Sequence, residues 1–338
     1  MAQKKTYYFI AILIFWAACK PDDIQPNPPQ ITGSEVIISS EGNFGWGEGT
    51  ISLYNPESKT LEEEVYKRAN SESPGNVLQS LTLLNDQYYL VMNNSKRIIV
   101  ADENYVKKAV IEGFNSPRYL IPVSEEKAYV TDLYANKIWI VNTNSNVITG
   151  EIKMPGWTEK GIVINTTFWV CNRGTNKLYS IDIDTDLKMD SIELSLNPQG
   201  IVVDKDEKLW VLSQGDGMGE KSAIQCIDPV TSKLLWSKAL DFNAIDLAYN
   251  SQNDQLIVLG NKIYIMPADT TGQLNTLYSA VFDTPYGIAY DQFNNEVYAS
   301  DVLDYTQKSR IIRIDDEGTL LDEFYTGIIT GGFYFQSR

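Results

Sequence analysis

One pattern of short apolar segments recurs along the chain at a nearly constant spacing. Its clearest copy runs from Lys127–Asp132 (KAYVTD) through Lys137–Asn142 (KIWIVN) to 147–152 (VITGEI), with turns rich in Asn, Thr and Ser between the segments. A large apolar residue marks the middle of the first segment, and its counterparts follow one another at gaps of 40, 40, 41, 47 and 41 residues. These landmarks are Tyr89, Tyr129, Trp169, Trp210, Ile257 and Tyr298. A further apolar segment precedes each copy, and a period near 41 with four short strands per unit predicts the blades of a β-propeller.

The two ends of the repeat predict how the ring closes. Six landmarks give six blades, and Glu35–Ser40 followed by Thr50–Tyr54 begins a seventh blade that lacks its first strand. The apolar segment Gly332–Gln336 has no neighbouring strands in the sequence and can supply the missing one. We therefore predict an all-β fold, a seven-bladed β-propeller of four-stranded blades. It occupies residues 33–338 as a single domain and is closed by one C-terminal and three N-terminal strands.

The first 32 residues lack the repeat and indicate a targeting segment. Two lysines precede about ten mostly apolar residues, a length that suits a signal peptide and is too short to span a bilayer. Cys19 follows two alanines in an arrangement that resembles a lipobox, so residues 1–18 are predicted to be a signal peptide and Cys19 the site of lipidation. Residues 19–32 form a Pro-rich tether, and its first acidic residues resemble a surface-export signal. The predicted location is the outer membrane, lipid-anchored and facing the cell exterior, with an ordinary signal peptide as the alternative.

Charge and residue types exclude several functional classes. The formal net charge is −16, and removal of the signal peptide takes away lysines but no acids, so the mature chain is more negative still. Such a chain repels nucleic acids and anionic lipid surfaces, which leaves the lipid anchor as the only predicted contact with a membrane. The sequence contains no histidine, which removes Ser-His-Asp and Cys-His catalysis and the commonest transition-metal ligand. Cys171 and Cys226 lie in predicted strands and are expected to be buried free thiols.

Two motifs resemble known propeller families. The segment Ala128–Asp132 (AYVTD), followed by Lys137–Asn142, resembles the YVTN-type forty-residue repeat of YncE-like proteins. The block Ser40–Gly49 (SEGNFGWGEG) resembles the start of surface propeller lipoproteins found beside outer-membrane transporters, some of which capture cobalamin outside the cell. This resemblance implies a non-enzymatic receptor that binds a small-molecule ligand, such as cobalamin or another corrinoid, and hands it to an outer-membrane transporter.

The repeat also separates scaffold residues from candidate binding residues. Side chains that share one position in several blades are predicted to pack between blades, and these are Tyr129, Trp169, Trp210 and Tyr298. Loops that depart from the repeat are better candidates for function. From landmark to third strand the spacing is nine residues in three blades, but fourteen from 37 to 51, fourteen from 210 to 224 and thirteen from 298 to 311.

These three long loops are predicted to share one end of the ring with the starts of the inner strands. The candidate ligand-binding residues of the loops are Asn43, Phe44, Trp46, Gln214, Asp216, Met218, Asp301 and Tyr305. Those at the starts of the inner strands are Arg118, Tyr119, Trp157, Gln199 and Tyr286. Aromatic and amide side chains around a funnel suit a large, partly apolar ligand, although Phe44 and Trp46 could equally cap the closing blade.

One acidic run resembles a calcium-binding loop. Asp182, Asp184 and Asp186 occupy alternate positions, but Leu187 stands where such a loop requires Gly. Alternating acids on a solvated hairpin explain the run equally well, so calcium is a minor alternative, and no other metal or cofactor is predicted.

Two other functions stay open. A metal-dependent propeller hydrolase needs carboxylates that converge near the axis, whereas the inner strands begin mainly with Pro, Gln, Arg and Tyr, with Asp246 as the exception. The chain is therefore predicted not to be an enzyme. A protein-interaction scaffold of a surface assembly would use the same long loops as a receptor, and the sequence does not separate these two functions.

Overall fold

The computed structural model describes residues 35–336. The predicted signal peptide, the lipidated Cys19 and the tether lie outside the described residues. The described part contains 28 strands and one helix, and the strands form seven four-stranded antiparallel sheets. The predicted seven-bladed β-propeller is therefore confirmed. Within residues 35–336 no helix combines the length and the apolar character that crossing a bilayer requires.

The blades are numbered along the chain. Blade 1 contains β1 (Val36–Ser40), β2 (Thr50–Asn55) and β3 (Thr60–Glu62), and the helix α1 (Val65–Asn70) follows it. Blade 2 contains β4 (Leu78–Leu84), β5 (Gln87–Met92), β6 (Arg97–Ala101) and β7 (Lys107–Glu112). Blade 3 contains β8 (Pro117–Pro122), β9 (Lys127–Asp132), β10 (Lys137–Asn142) and β11 (Val147–Lys153). Blade 4 contains β12 (Thr158–Ile164), β13 (Thr167–Asn172), β14 (Lys177–Asp182) and β15 (Leu187–Glu193).

The remaining blades follow the same order. Blade 5 contains β16 (Pro198–Val203), β17 (Leu209–Ser213), β18 (Ala223–Asp228) and β19 (Lys233–Ala239). Blade 6 contains β20 (Asp246–Asn250), β21 (Gln255–Leu259), β22 (Ile263–Pro267) and β23 (Asn275–Tyr278). Blade 7 contains β24 (Pro285–Asp291), β25 (Glu296–Asp301), β26 (Lys308–Asp315) and β27 (Leu320–Ile328), and β28 (Thr330–Tyr334) completes blade 1. The innermost strand of each blade, which in blade 1 is β28, contacts the innermost strands of the neighbouring blades, so these strands surround a central channel.

The ring closes in the way that the sequence predicts. In blade 1 the strand order is β28-β1-β2-β3, with Ile37 opposite Tyr334 and Ile38 opposite Phe333. Phe333 also packs against Tyr298 of blade 7, with ring centroids 5.9 Å apart. The last described strand therefore completes blade 1 and joins it to blade 7.

Large side chains fill the spaces between blades. Tyr129, Trp169, Trp210 and Tyr298 are each at most 2% exposed, which confirms their predicted scaffold role. Trp169, for example, packs with apolar residues of blades 4 and 5 together. Cys171 and Cys226 are buried free thiols, as predicted.

The two ends of the ring differ in the loops that they carry. At the end that we call the upper end, the loops from second to third strand hydrogen-bond to the segments that lead into the inner strands. The Leu133 amide donates to the Ser116 carbonyl at 2.9 Å, and the Val302 amide donates to Thr284 at 2.9 Å. The turns from first to second strand and from third to fourth strand lie at the opposite, lower end. The three long loops, 41–49, 214–222 and 302–307, thus share the upper end with the starts of the inner strands.

Candidate binding site at the upper end of the channel

A cavity of about 560 Å³ opens among the inner strands. Six of the predicted binding residues line this cavity, namely Arg118, Tyr119, Trp157, Gln199, Gln214 and Tyr286. They come from blades 3, 4, 5 and 7, so the ring brings together side chains that are far apart in the sequence. We call this space the central cavity.

The local sequence explains why these side chains face the channel. Pro117, Pro198 and Pro285 each begin an inner strand, a position at which the missing N–H of proline costs no ladder hydrogen bond. The strand register shifts directly after each of these prolines. Because a bulge breaks the alternation of side chains, Arg118 and Tyr119 can both line the cavity although they are consecutive.

A chain of hydrogen bonds runs around one side of the central cavity. The Tyr286 hydroxyl donates to Glu41 Oε1 at 2.9 Å, and Gln79 Nε2 donates to the same oxygen at 3.2 Å. Arg118 then donates to Gln79 Oε1 and to the buried Glu159, with Nη2 2.9 Å from Glu159 Oε1. These contacts connect blades 7, 1, 2, 3 and 4, so the polar side chains are held in place before any ligand arrives.

An ion pair reaches across the channel. Lys160 Nζ on blade 4 lies 2.7 Å from Asp246 Oδ1 on blade 6, and blade 5 contributes nothing to this contact. Burial alone would lower the pKa of Lys160, but the charge and hydrogen bond of Asp246, together with the nearby Tyr119 and Glu159, outweigh burial and raise the pKa above its usual range. Lys160 is therefore a fixed cation whose charge is matched by a partner.

Glu41 has the opposite behaviour. Burial raises its pKa from 4.5 to about 7, and the nearby charge of Arg118 offsets this only in part. Glu41 therefore exchanges its proton near neutral pH.

On another side of the cavity the guanidinium of Arg173 stacks on the ring of Trp157. The guanidinium carbon of Arg173 lies 4.5 Å from the Trp157 ring centroid, and that of Arg118 lies 5.7 Å from it. Arg173 Nη1 donates to Gln199 Oε1. Among residues 35–336 Arg173 has no carboxylate partner, unlike Arg118 and Lys160. Arg173 Nε and Trp157 Nε1 are both buried without a hydrogen-bond partner in the described structure.

Five of these residues were not predicted from the sequence, namely Glu41, Gln79, Glu159, Lys160 and Arg173, and the expectation of Asp246 as the sole acid near the axis is incomplete. A signal for two of them was present. Glu41 and Arg173 directly follow the second strand of their blades, at a repeat position that is Leu133 or Gln214 elsewhere, and a charge peculiar to one blade marks a candidate for function.

The remaining predicted residues lie around the rim or outside the cavity. Phe44, Trp46 and Met218 are 70%, 96% and 92% exposed, respectively, at the tips of their loops. Tyr305 contacts Tyr286 with ring centroids 6.5 Å apart, and its carbonyl accepts a hydrogen bond from Asn43 Nδ2. The two long loops of blades 7 and 1 therefore touch, and they extend the aromatic surface from the cavity to the rim.

Two predicted acids hold the backbone of their own loops. The exposed Asp216 accepts hydrogen bonds from the amides of residues 218, 219 and 220. Asp301 is completely buried, accepts amides of Asp283 and Thr284 at 2.9 and 2.8 Å, and pairs with Arg310 at 2.8 Å. Asp301 does not line the central cavity.

The acidic run of blade 4 lies at the lower end. Asp182 accepts hydrogen bonds from Thr185, and Asp186 pairs with Lys127 at 2.9 Å. Among the described residues no group of three or more His, Cys, Asp or Glu side chains could hold a metal ion.

Comparison with solved structures shows the same fold. A periplasmic gluconolactonase of Pseudomonas aeruginosa is similar with a TM-score of 0.69 and 11% identity, over 90% of this chain and 99% of that one. A quinonprotein alcohol dehydrogenase-like protein of Bacteroides thetaiotaomicron has a TM-score of 0.67 and 14% identity, over 90% of this chain and 78% of that one. A protein of Lactobacillus plantarum has a TM-score of 0.69 and 14% identity, over 90% of this chain and 100% of that one. The fold is thus one that also serves enzymes.

Sequence comparison gives a family. No curated protein matches the sequence. One family, described as a domain of unknown function, matches residues 35–326, which is most of the chain and includes strands of every blade. By this match the chain belongs to the DUF5074 family.

Proposed function

We propose that this protein is a non-enzymatic receptor that binds a small-molecule ligand at the upper end of its channel. The observation that carries the proposal is the convergence of aromatic, amide and charged side chains from several blades on one cavity of about 560 Å³. The hydrogen bonds among Glu41, Gln79 and Arg118 hold the polar groups in place, and a pre-formed site of this kind loses little conformational entropy when a ligand binds.

The rim supports a ligand larger than the cavity itself. Tyr305, 47% exposed, continues the surface of Tyr286 outward, and Trp46 projects from the adjoining loop. A ligand can therefore place a polar part among the side chains of the inner strands and a broad apolar part against the rim.

A corrinoid such as cobalamin is the most specific version of the proposal. Its amide side chains would hydrogen-bond to Gln199 and Gln214, and its ring would lie against Tyr305 and Trp46. This identification rests on the resemblance of residues 40–49 to surface cobalamin-capture propellers. The same resemblance, with the predicted lipidation of Cys19, supports a lipoprotein on the cell surface that passes its ligand to an outer-membrane transporter.

A retention experiment tests the corrinoid directly. The purified chain is mixed with cobalamin and desalted, and the absorbance of the protein fraction in the visible range is measured. Retained colour that falls in Tyr305→Ala and Trp46→Ala, but not in the exposed lower-end variant Val230→Ala, supports the proposal. No retained colour at micromolar protein removes the corrinoid. A thermal-shift screen with other ligands then tests the receptor function itself, because a bound ligand raises the unfolding temperature.

A protein partner is a second candidate. Phe44, Trp46 and Met218 are the observation that favours it, because they are largely exposed at loop tips and do not line the central cavity. A surface of this kind suits a partner that covers the whole upper end. If double substitution of Phe44 and Met218 to Ser, which keeps Trp46, abolishes partner capture while ligand retention is unchanged, the two functions use different parts of that end.

A hydrolase is favoured by one feature of the cavity. A carboxyl group with a pKa of about 7, hydrogen-bonded by Tyr286, has the properties of a general acid or base. Hydrolysis of a lactone by the wild type, but not by Glu41→Gln, measured as acid release at constant pH, would establish this activity.

A further inference from the structure

The cations of the central cavity are not equivalent. Arg118 is held by the buried Glu159, and Lys160 is held by Asp246. Arg173 lines the same cavity, and within residues 35–336 it makes no ion pair. Glu159, the ion-pair partner of Arg118, acts on Arg173 only from beyond ion-pair distance, and partial burial of a cation that has no carboxylate of its own is unfavourable unless a ligand supplies the opposite charge.

The surroundings of Arg173 fix its orientation. Gln199 Oε1 accepts from Nη1, and the Trp157 ring lies 4.5 Å from the guanidinium carbon. Stacking on the ring and one hydrogen bond hold the guanidinium in a single orientation. Burial lowers the pKa of Arg173, but an arginine stays protonated at any physiological pH.

Two donors next to this stack have no acceptor. Arg173 Nε and Trp157 Nε1 are both buried and unpaired, and both residues line the central cavity. A buried donor without an acceptor is destabilising, and two in adjacent side chains point to a missing acceptor of the ligand. Both atoms are closed to solvent as the side chains stand, so an oxyanion in the cavity first neutralises the guanidinium and accepts from these two donors once the stacked side chains shift to admit it.

We propose that Arg173 and Trp157 form a subsite for an oxyanion group of the ligand, a phosphate, phosphodiester or carboxylate. The subsite rests on the proposed binding function of the cavity but not on any identified ligand. It also gives the rest of the cavity a distinct role, because Gln199 then positions the guanidinium and the rim contacts the uncharged part of the ligand.

Calorimetric titration of the purified full-length chain tests the subsite with two probes at equal ionic strength, inorganic phosphate and acetate. We expect at least one of them to bind. Arg173→Gln should weaken that binding about tenfold or more, because a hydrogen-bonded charge pair is lost. Trp157→Phe keeps the stacking ring but removes Nε1, and should weaken binding severalfold. The control is Arg68→Gln on α1, an exposed arginine paired with Glu62 at 2.6 Å, which should leave binding unchanged.

The outcomes separate the subsite from the corrinoid proposal. Binding of neither probe, or binding of both probes that Arg173→Gln leaves unchanged, overturns the subsite. If Arg173→Gln weakens the binding of phosphate alone, the subsite takes a phosphate group. If it weakens the binding of acetate alone, the subsite takes a carboxylate. If cobalamin is retained equally by wild type and Arg173→Gln, the receptor function stands without this subsite. If the anions bind through Arg173 and cobalamin is not retained, the oxyanion subsite is supported and a corrinoid ligand is rejected. Arg173→Lys keeps the charge but not Nε, so it should restore only part of the affinity that Arg173→Gln loses. It also serves as a second variant if the first folds poorly.

Discussion

Glu41 should make the stability of the protein depend on pH in an unusual direction. Its pKa is about 7 in the folded chain against 4.5 for an ordinary glutamate, and burial is the main cause. Between these two values the unfolded chain has lost the proton while the folded chain still holds it. Stability contributed by this group is therefore complete below pH 4.5, falls as the pH rises towards 7, and stays at its lower value above that.

The magnitude follows from the size of the shift. Each pKa unit corresponds to about 1.4 kcal/mol, so ionisation of Glu41 costs the folded state about 3 kcal/mol at pH 8, an upper figure because the cavity opens to water. Glu41→Gln removes the ionisation but keeps a carbonyl oxygen that can accept from Tyr286 and Gln79. The variant should exceed the unfolding free energy of the wild type by less than about 1 kcal/mol at pH 5 and by about 2–3 kcal/mol at pH 8.

Urea denaturation of both proteins at several pH values from 5 to 8 measures this difference. Comparison with the variant cancels the titration of all other carboxylates. A difference that is the same at every pH, or a variant that is less stable than the wild type at pH 8, would refute the reasoning about Glu41.

Three further predictions concern other parts of the ring. Trp169→Ala should lower the unfolding free energy by about 3–5 kcal/mol because its ring fills the space between two blades, whereas Trp46→Ala, on a 96% exposed side chain, should change it by less than about 0.5 kcal/mol; equal losses by urea denaturation would contradict the division into scaffold and rim. Arg118→Met leaves Glu159 buried without its cation and should cost about 3–5 kcal/mol, of which a second change, Glu159→Gln, should recover a large part; a double variant no more stable than the single one would argue against the pair. Phe333→Ala should cost about 3–5 kcal/mol and raise proteolysis near the C-terminus, since this ring packs at the junction of blades 1 and 7; an unchanged cleavage pattern would show that closure does not depend on it.

The sequence predicts the fold well because the architecture repeats. The blades repeat at a similar spacing, so a copy whose sequence has diverged, such as the one around Ile257, is recognised from its position relative to its neighbours. The pairing of β28 with β1 could be predicted because blade 1 lacks an inner strand at the N-terminus and the C-terminal segment has no neighbouring strands of its own. The helix α1 has no counterpart in the other blades and was not predicted, because the repeat carries no information about a single insertion.

The binding site is predicted less completely, for a geometric reason. The apolar run at Gly161 indicates an inner strand, but β12 begins at Thr158, and its register shifts between these two residues. This irregularity hides Glu159 and Lys160 from any argument based on alternation. The roles of Asp216 and Asp301 could not be inferred from the sequence either. An aspartate that binds the backbone of its own loop and an aspartate that faces a ligand look the same in a loop sequence.

The closing strand has a consequence for when the site comes into existence. Glu41 follows the first described strand, while Gly331 and Gly332 belong to the last, and all three line the same wall of the central cavity. That wall is missing until β28 docks, so a folding intermediate with six finished blades has no complete site. A ligand that touches this wall bridges both segments and strengthens their junction selectively, since it binds only the closed ring. Occupancy and closure should thus reinforce each other, and a loaded ring should open more slowly than an empty one.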